Sequence, residues 1–242
     1  ITGGGGEAGP STRVPPLHLS QYTQAGVTSV VGLLGTDDLT RSPQTLLTQV
    51  MGLREEGLSA WCYTGGYHVP AVTLTQSVRS DIVNLEPVIG VGEVAISDHR
   101  SSQPTMDEIL RLASETHVAA LMTGKAGIVH FHLGDGARGL SKIRDCLDTC
   151  EIPARVFNPT HVNRNKILFE EACAITGRGC TVDITAFPAD ESDTGWVAQD
   201  AVARYFDQGY DPTKLTISSD GGGCLPSFNV QGELLKMGFA KS

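Results

Sequence analysis

Residues 128–158 read IVHFHLGDGARGLSKIRDCLDTCEIPARVFN. The stretch opens on a short apolar run, Ile128 to His132, and crosses a glycine-rich turn. It continues at helical spacing from Leu140 to Thr149 and returns to a second short run at Ala154 to Asn158. Two strands joined through a helix, with no tight hairpin turn between them, pair in parallel, because parallel strands need a crossover of a dozen or more residues.

The same alternation extends in both directions. Strand candidates precede this unit at Thr28 to Leu33, Leu58 to Tyr63 and Val88 to Ile96, and follow it at Thr181 to Ile184 and Leu215 to Ser219. Helix candidates lie at Leu17 to Ala25, Pro43 to Glu56, Thr105 to Thr116, Lys166 to Thr176 and Trp196 to Gln208. Ser42 before Pro43 is an N-cap ahead of a first-turn proline, and Gly57 suits the end of that helix. An α/β chain of this kind forms a parallel sheet with right-handed crossovers, either open and doubly wound or closed as a barrel. A closed barrel takes eight strands. Seven are read here, with a helix before the first, so the expectation is a TIM (β/α)8 barrel truncated to strands two to eight. No linker or low-complexity stretch divides residues 1–242, which are read as one domain.

Composition narrows the function classes. A net charge of -9 without a basic patch disfavours nucleic acid and anionic membrane as partners. No apolar run approaches the roughly 20 residues that span a bilayer. Six cysteines without C-x-x-C spacing, in a chain long enough to bury a core, read as reduced thiols in a cytoplasm. Cys146 and Cys150, four apart, read as packing rather than as a metal pair.

In a barrel the chemistry sits on loops at the C-terminal ends of the strands. Polar residues gather there: Thr36 after the first run, Tyr67 and His68 after the second, and Glu93 with Ser97-Asp98-His99-Arg100 on the third. The next two runs end in His132 and in Thr160-His161-Val162-Asn163-Arg164, the last in Ser218-Ser219-Asp220-Gly221. Two histidines and two acids at successive strand ends are a donor set that zinc accepts. Hydrogen-bonded structural histidines give the same pattern, and the residues alone leave both possibilities open. His130 sits a layer deeper and reads as a buried structural histidine, and His18, His68, His99 and His117 as loop or helix residues. Lys125 reads as a solvated loop residue.

Four stretches carry a resemblance: Gly-Gly-Gly-Gly-Glu-Ala-Gly-Pro (3–10), Ala-Gly-Val-Thr-Ser-Val-Val-Gly-Leu-Leu-Gly-Thr-Asp (25–37), Ala-Ile-Ser-Asp-His-Arg-Ser (95–101) and Pro-Thr-His-Val-Asn-Arg-Asn (159–165). In this order and spacing they resemble bacterial isoaspartyl dipeptidases of the amidohydrolase superfamily. The resemblance implies a barrel holding two Zn2+ ions, hydrolysis of the isopeptide bond of a small β-aspartyl dipeptide by a metal-bound hydroxide, and a homo-oligomer for the complete enzyme. By the same resemblance His132 and His161 ligate metal, and Asp220 is both ligand and proton shuttle. Gly5, Gly6, Glu7 and Thr36 contact substrate, the Glu7 carboxylate holding its ammonium group. Arg100 and Arg164 grip carboxylates, and Tyr67 hydrogen-bonds the developing oxyanion.

Three departures accompany the likeness. The family's His-x-His is expected ahead of Ile1, so the barrel is read as incomplete at both ends. Glu93 falls where the family has a bridging carboxylated lysine, beside an apparent one-residue insertion near Gly92, and a bulge there would bring the shorter side chain inward. Cys224 falls where the family has a substrate-bonding serine, and a thiol is a poorer donor. The competing expectations are a dihydroorotase-like or hydantoinase-like cyclic amidase and an inactive fragment. Glu7, Arg100 and Arg164 favour a substrate with one ammonium and two carboxylates.

Overall fold

The computed structural model describes residues 1–7, 9–186, 194–229 and 231–239. A curled five-stranded parallel sheet is built in chain order from β1 (Ser29–Gly32), β2 (Ser59–Thr64), β3 (Val88–Ile96), β4 (Ile128–Leu133) and β5 (Phe157–Thr160). β6 (Val182–Thr185) and β7 (Leu215–Ser218) form a parallel pair beside it. Between β5 and β6 a side chain does the work of a ladder. Asn163 donates from Nδ2 to the Thr185 carbonyl and accepts the Thr185 N–H through Oδ1, both at 2.9 Å. A backbone partner would present the same donor and acceptor pair.

Helices cover the outer face: α1 (Leu19–Gln24), α2 (Pro43–Glu55), α3 (Val78–Asn84), α4 (Met106–Thr123), α5 (Ser141–Thr149), α6 (Lys166–Thr176) and α7 (Ala198–Asp207). Their ends follow local chemistry. Ser42 accepts from Thr45 N–H, Asn165 from Leu168 N–H, and Thr105 with Glu108 makes a reciprocal capping box. Alternation along β4 separates two environments. Val129, Phe131 and Leu133 join the apolar cluster with Leu140, Ile143 and Cys146, while His130 and His132 line the inner cleft. Phe131 stacks on Phe157 at 6.2 Å.

The structure corrects several expectations. The run Ala154 to Asn158 is not all strand: Ala154–Val156 form a 3-10 turn, and β5 begins at Phe157 and runs through Pro159. The helix predicted to end at Thr116 continues to Thr123, where Gly124 in the left-handed region stops it. α3 was not predicted, nor was the antiparallel hairpin of β8 (Cys224–Phe228) and β9 (Leu234–Phe239). Lys125 is not simply solvated. Its ammonium donates to the carbonyls of Ile82 and Leu85 at the end of α3, where a cation also meets the negative end of the helix dipole.

Asp81, fully buried on α3, pins the segment that connects β2 to that helix. Its carboxylate accepts from Thr64 Oγ1 at 2.5 Å, Leu74 N–H at 2.9 Å, and Thr75 N–H and Oγ1, both at 2.6 Å. Asp81→Ala orphans these donors inside the protein. It is expected to lower unfolding stability by about 2–4 kcal/mol, read from the urea midpoint at unchanged m-value. An unmoved midpoint would show that water replaces the carboxylate at no cost.

Candidate active site

The strand ends open on one cleft of about 1360 Å³. At its floor, Glu93, His132 and His161 bring one carboxylate oxygen and two ring nitrogens within 4.8 Å of one another, all three residues buried. The backbone explains how they meet. The β3–β4 register shifts between Gly92 and Val94, so that Glu93 is the unpaired residue of a bulge. Gly92 has φ 154, and a Cβ there would lie 2.7 Å from the carbonyl oxygen of His130. Only glycine allows β3 to approach β4 this closely. His161 and Asp220 both hold left-handed backbone, φ 61 and 51, which turns their side chains at the ends of β5 and β7.

Glu93 Oε1 lies 2.8 Å from His161 Nε2 and 3.2 Å from His132 Nδ1. The other ring nitrogens are held from behind: His161 Nδ1 by Thr185 Oγ1 at 2.8 Å, His132 Nε2 by Asp98 Oδ2 at 2.9 Å. With His132 donating through Nε2, its Nδ1 is left as an acceptor pointing at Glu93. Acceptors converging on one point repel unless a proton or a cation lies between them, and imidazole nitrogen with carboxylate oxygen is a donor set suited to a divalent metal. The residues therefore fit a metal ion. Burial raises the cost of charge on Glu93, and positive charge on the His132 and His161 rings, which a bound cation would replace, holds its carboxyl well below the usual range.

Asp220 lines the same cleft without belonging to the three-donor cluster. Its carboxyl is pushed up to about 6 by burial, which His161 partly offsets and the Glu93 charge reinforces. Tyr67 is buried, and its hydroxyl lies 2.8 Å from His132 Nδ1. Burial, with Glu93 adding, drives its phenol well above 10, so it remains a hydrogen-bond donor.

Thr36, Arg100 and Cys224 line the cleft wall and converge on Glu7. Glu7 accepts from Thr36 Oγ1 at 3.0 Å, from Arg100 Nη1 at 3.3 Å and from Cys224 Sγ at 3.1 Å. Arg100 lies over the rings of Tyr67 and Phe228, each centroid 5.6 Å away. Gly5 also lines the cleft, and a Cβ at this position, where φ is 85, would strike the Thr12 carbonyl at 2.5 Å. Gly6, at φ 109, precedes Glu7. Arg164 reaches the rim but is engaged there, with Asp135 at 2.9 Å and with the Leu133 carbonyl. His130 bonds Asn158 through Nδ1 at 2.6 Å, His68 pairs with Asp38 at 3.0 Å, and His99 packs edge-on against Phe228.

Asp98 appears in the sequence as one of the polar residues of a strand-end loop, two residues before Arg100, with no role that the sequence assigns. Its carboxyl is buried, yet hydrogen bonds from His132 and Arg100 hold it far below the usual range. Cys224 is the opposite case. Burial, with Glu7 adding, pushes its thiol up to about 12, so it is a donor to Glu7 and not a thiolate nucleophile. Iodoacetamide at pH 8 is expected to label Cys224 at least about a hundredfold more slowly than free cysteine, followed by peptide mass. Equal rates would mean that the thiol ionises.

No family model matches the chain. Among solved structures it is similar to a β-aspartyl dipeptidase of the thermophilic, keratin-degrading Fervidobacterium islandicum AW-1 in complex with β-Asp-Leu dipeptide. The TM-score is 0.94 and the identity 45%, over 100% of this chain and 62% of that one. A second β-aspartyl dipeptidase structure from the same bacterium matches at TM-score 0.87 and 47% identity, over 92% of this chain and 60% of that one. An amidohydrolase from Mycoplasma synoviae matches at TM-score 0.52 and 14% identity, over 84% and 63% of the two chains, a likeness of fold alone. The chain thus spans about three fifths of the length of the solved dipeptidases it resembles.

Proposed function

We propose that this chain, similar to β-aspartyl dipeptidases over the residues it spans, is a β-aspartyl dipeptidase of the amidohydrolase superfamily and hydrolyses the isopeptide bond of β-aspartyl dipeptides with the help of zinc. The observation that carries the proposal is the match of the whole chain, at 45% identity, to a dipeptidase in complex with β-Asp-Leu. On this reading β1 to β7 are strands two to eight of a (β/α)8 barrel, with residues 1–242 as one barrel unit. The six free cysteines support a reducing, cytoplasmic setting, and among the described residues no helix is long and apolar enough to cross a membrane.

Glu93, His132 and His161, together with Asp220, would hold the metal. Zinc held there would supply hydroxide at neutral pH and Lewis acidity toward the scissile carbonyl. The protein's own groups do the rest. The Glu7 carboxylate takes the substrate ammonium, in exchange for its contacts with Thr36 and Cys224. Arg100 and Arg164 grip the two carboxylates through planar forks. Tyr67, still protonated, turns its O–H from His132 to the carbonyl oxygen as negative charge grows there. The Asp220 carboxylate lines the same cleft as the two ring ligands and is placed to take a proton and return it. Asp220 therefore takes the proton of the attacking water and passes it to the leaving amine as the C–N bond breaks, releasing aspartate and the second amino acid.

A substrate panel at saturating zinc tests the assignment. We expect kcat/KM for β-Asp-Leu to exceed that for α-Asp-Leu, dihydroorotate and a hydantoin by at least about a hundredfold, since a site built for charged groups rejects analogues that leave them unpaired. Preference for a cyclic amide would move the protein to another amidohydrolase activity.

A further inference from the structure

Asp98 occupies the loop after β3 and is only 8% exposed. Its carboxylate serves two different halves of the cleft. Oδ2 accepts from His132 Nε2 at 2.9 Å and from Arg100 Nη2 at 2.7 Å, while Oδ1 accepts from Arg100 Nε at 3.0 Å and from the Arg100 backbone N–H at 2.8 Å. The loop itself is held firmly. Gln103 Nε2 donates to the Asp98 carbonyl at 2.9 Å, and Gly136 N–H donates to the Ser97 carbonyl at 2.7 Å. Gly134 packs so close that a Cβ there would lie 2.5 Å from Asp98 Cβ.

A neutral imidazole carries one ring proton, and the partner of one nitrogen decides which nitrogen is free to ligate. A carboxylate behind Nε2 keeps the proton there and leaves the Nδ1 lone pair facing Glu93 and His161. The same carboxylate fixes the Arg100 guanidinium in the orientation that reaches Glu7. We propose that Asp98 is a positioning residue that couples metal binding to substrate binding: it selects Nδ1 of His132 as the metal donor and aims Arg100 at the substrate carboxylate. This role rests on the zinc assignment above.

The test uses the zinc-loaded protein and the variants Asp98→Asn and Arg100→Lys. Zinc affinity is measured by chelator competition, KM and kcat with β-Asp-Leu, and the His132 ring proton by nitrogen-15 correlation spectra. Asparagine has one accepting oxygen and cannot serve His132 and both edges of the guanidinium. Asp98→Asn is expected to lose zinc affinity by about 10–100-fold, the usual cost of removing an outer partner of a ligand, and to raise KM by about tenfold or more. Arg100→Lys is expected to raise KM alone, with zinc affinity within about twofold of the wild type. In the wild type the His132 proton resides on Nε2.

Unchanged zinc affinity in Asp98→Asn overturns the role, and so does a wild-type proton on Nδ1, an outcome that does not depend on any variant folding. A wild type that binds no zinc overturns the zinc assignment and this role together. Zinc binding with an indifferent Asp98→Asn overturns this role alone.

Discussion

Asp220→Asn is expected to lower kcat for β-Asp-Leu by about a thousandfold while KM stays within about threefold, measured at saturating zinc. Asparagine keeps the volume of the side chain and its place in the cleft, but it cannot take a proton at neutral pH. The loss expected for a proton-transfer group is about 10²–10⁴-fold, and here the same group serves both half-reactions. KM should move little if, as proposed, the substrate charges fall to Glu7, Arg100 and Arg164 rather than to Asp220. A variant with near-normal kcat and a much higher KM would make Asp220 a binding group.

Glu93→Gln is expected to have a comparable effect by another route. The amide retains one oxygen for the ring nitrogens, but it removes the negative charge and offers an N–H where a lone pair is needed. Loss of an outer partner costs about 10–100-fold in metal affinity, so loss of the ligand itself should cost at least about a hundredfold, with turnover falling in step. Chelator competition and metal content per chain check this. Undiminished zinc affinity would place Glu93 outside the metal site.

Much of the fold was legible because it depends on local patterns. The β-branched runs of β3 and β4 and the cap at Ser42 are short-range signals, and the structure uses them as read. The hairpin of β8 and β9 was not legible. Its first strand follows Gly221-Gly222-Gly223 and contains Pro226, which breaks alternation and removes a donor. β5 was misplaced for the same reason, since a strand through Pro159 looks from the sequence like a strand that has ended. Lys125 failed differently: its partners, Ile82 and Leu85, are backbone carbonyls on a helix that had not been predicted.

The site divides along similar lines. Glu93, His132, Glu7 and Arg100 could be named from strand-end position and resemblance, and the bulge that carries Glu93 inward was foreshadowed by the extra residue at Gly92. Their linkage could not be named. Nothing in the spacing of Ser97-Asp98-His99-Arg100 says that Asp98 turns back to His132, because that contact depends on the curl of β3 against β4. For Arg164 the sequence leaves a carboxylate clamp and a surface salt bridge as alternatives; in the structure it is paired with Asp135 and must exchange that partner to bind a carboxylate.

The most direct test of the central claim is β-Asp-Leu turnover by one protein sample as prepared with zinc, after chelation, and after zinc is restored. Cleavage to aspartate and leucine is expected in the first state, loss by at least about a hundredfold in the second and recovery in the third. Turnover that survives complete removal of metal, or no cleavage of β-Asp-Leu with zinc fully bound, would contradict it.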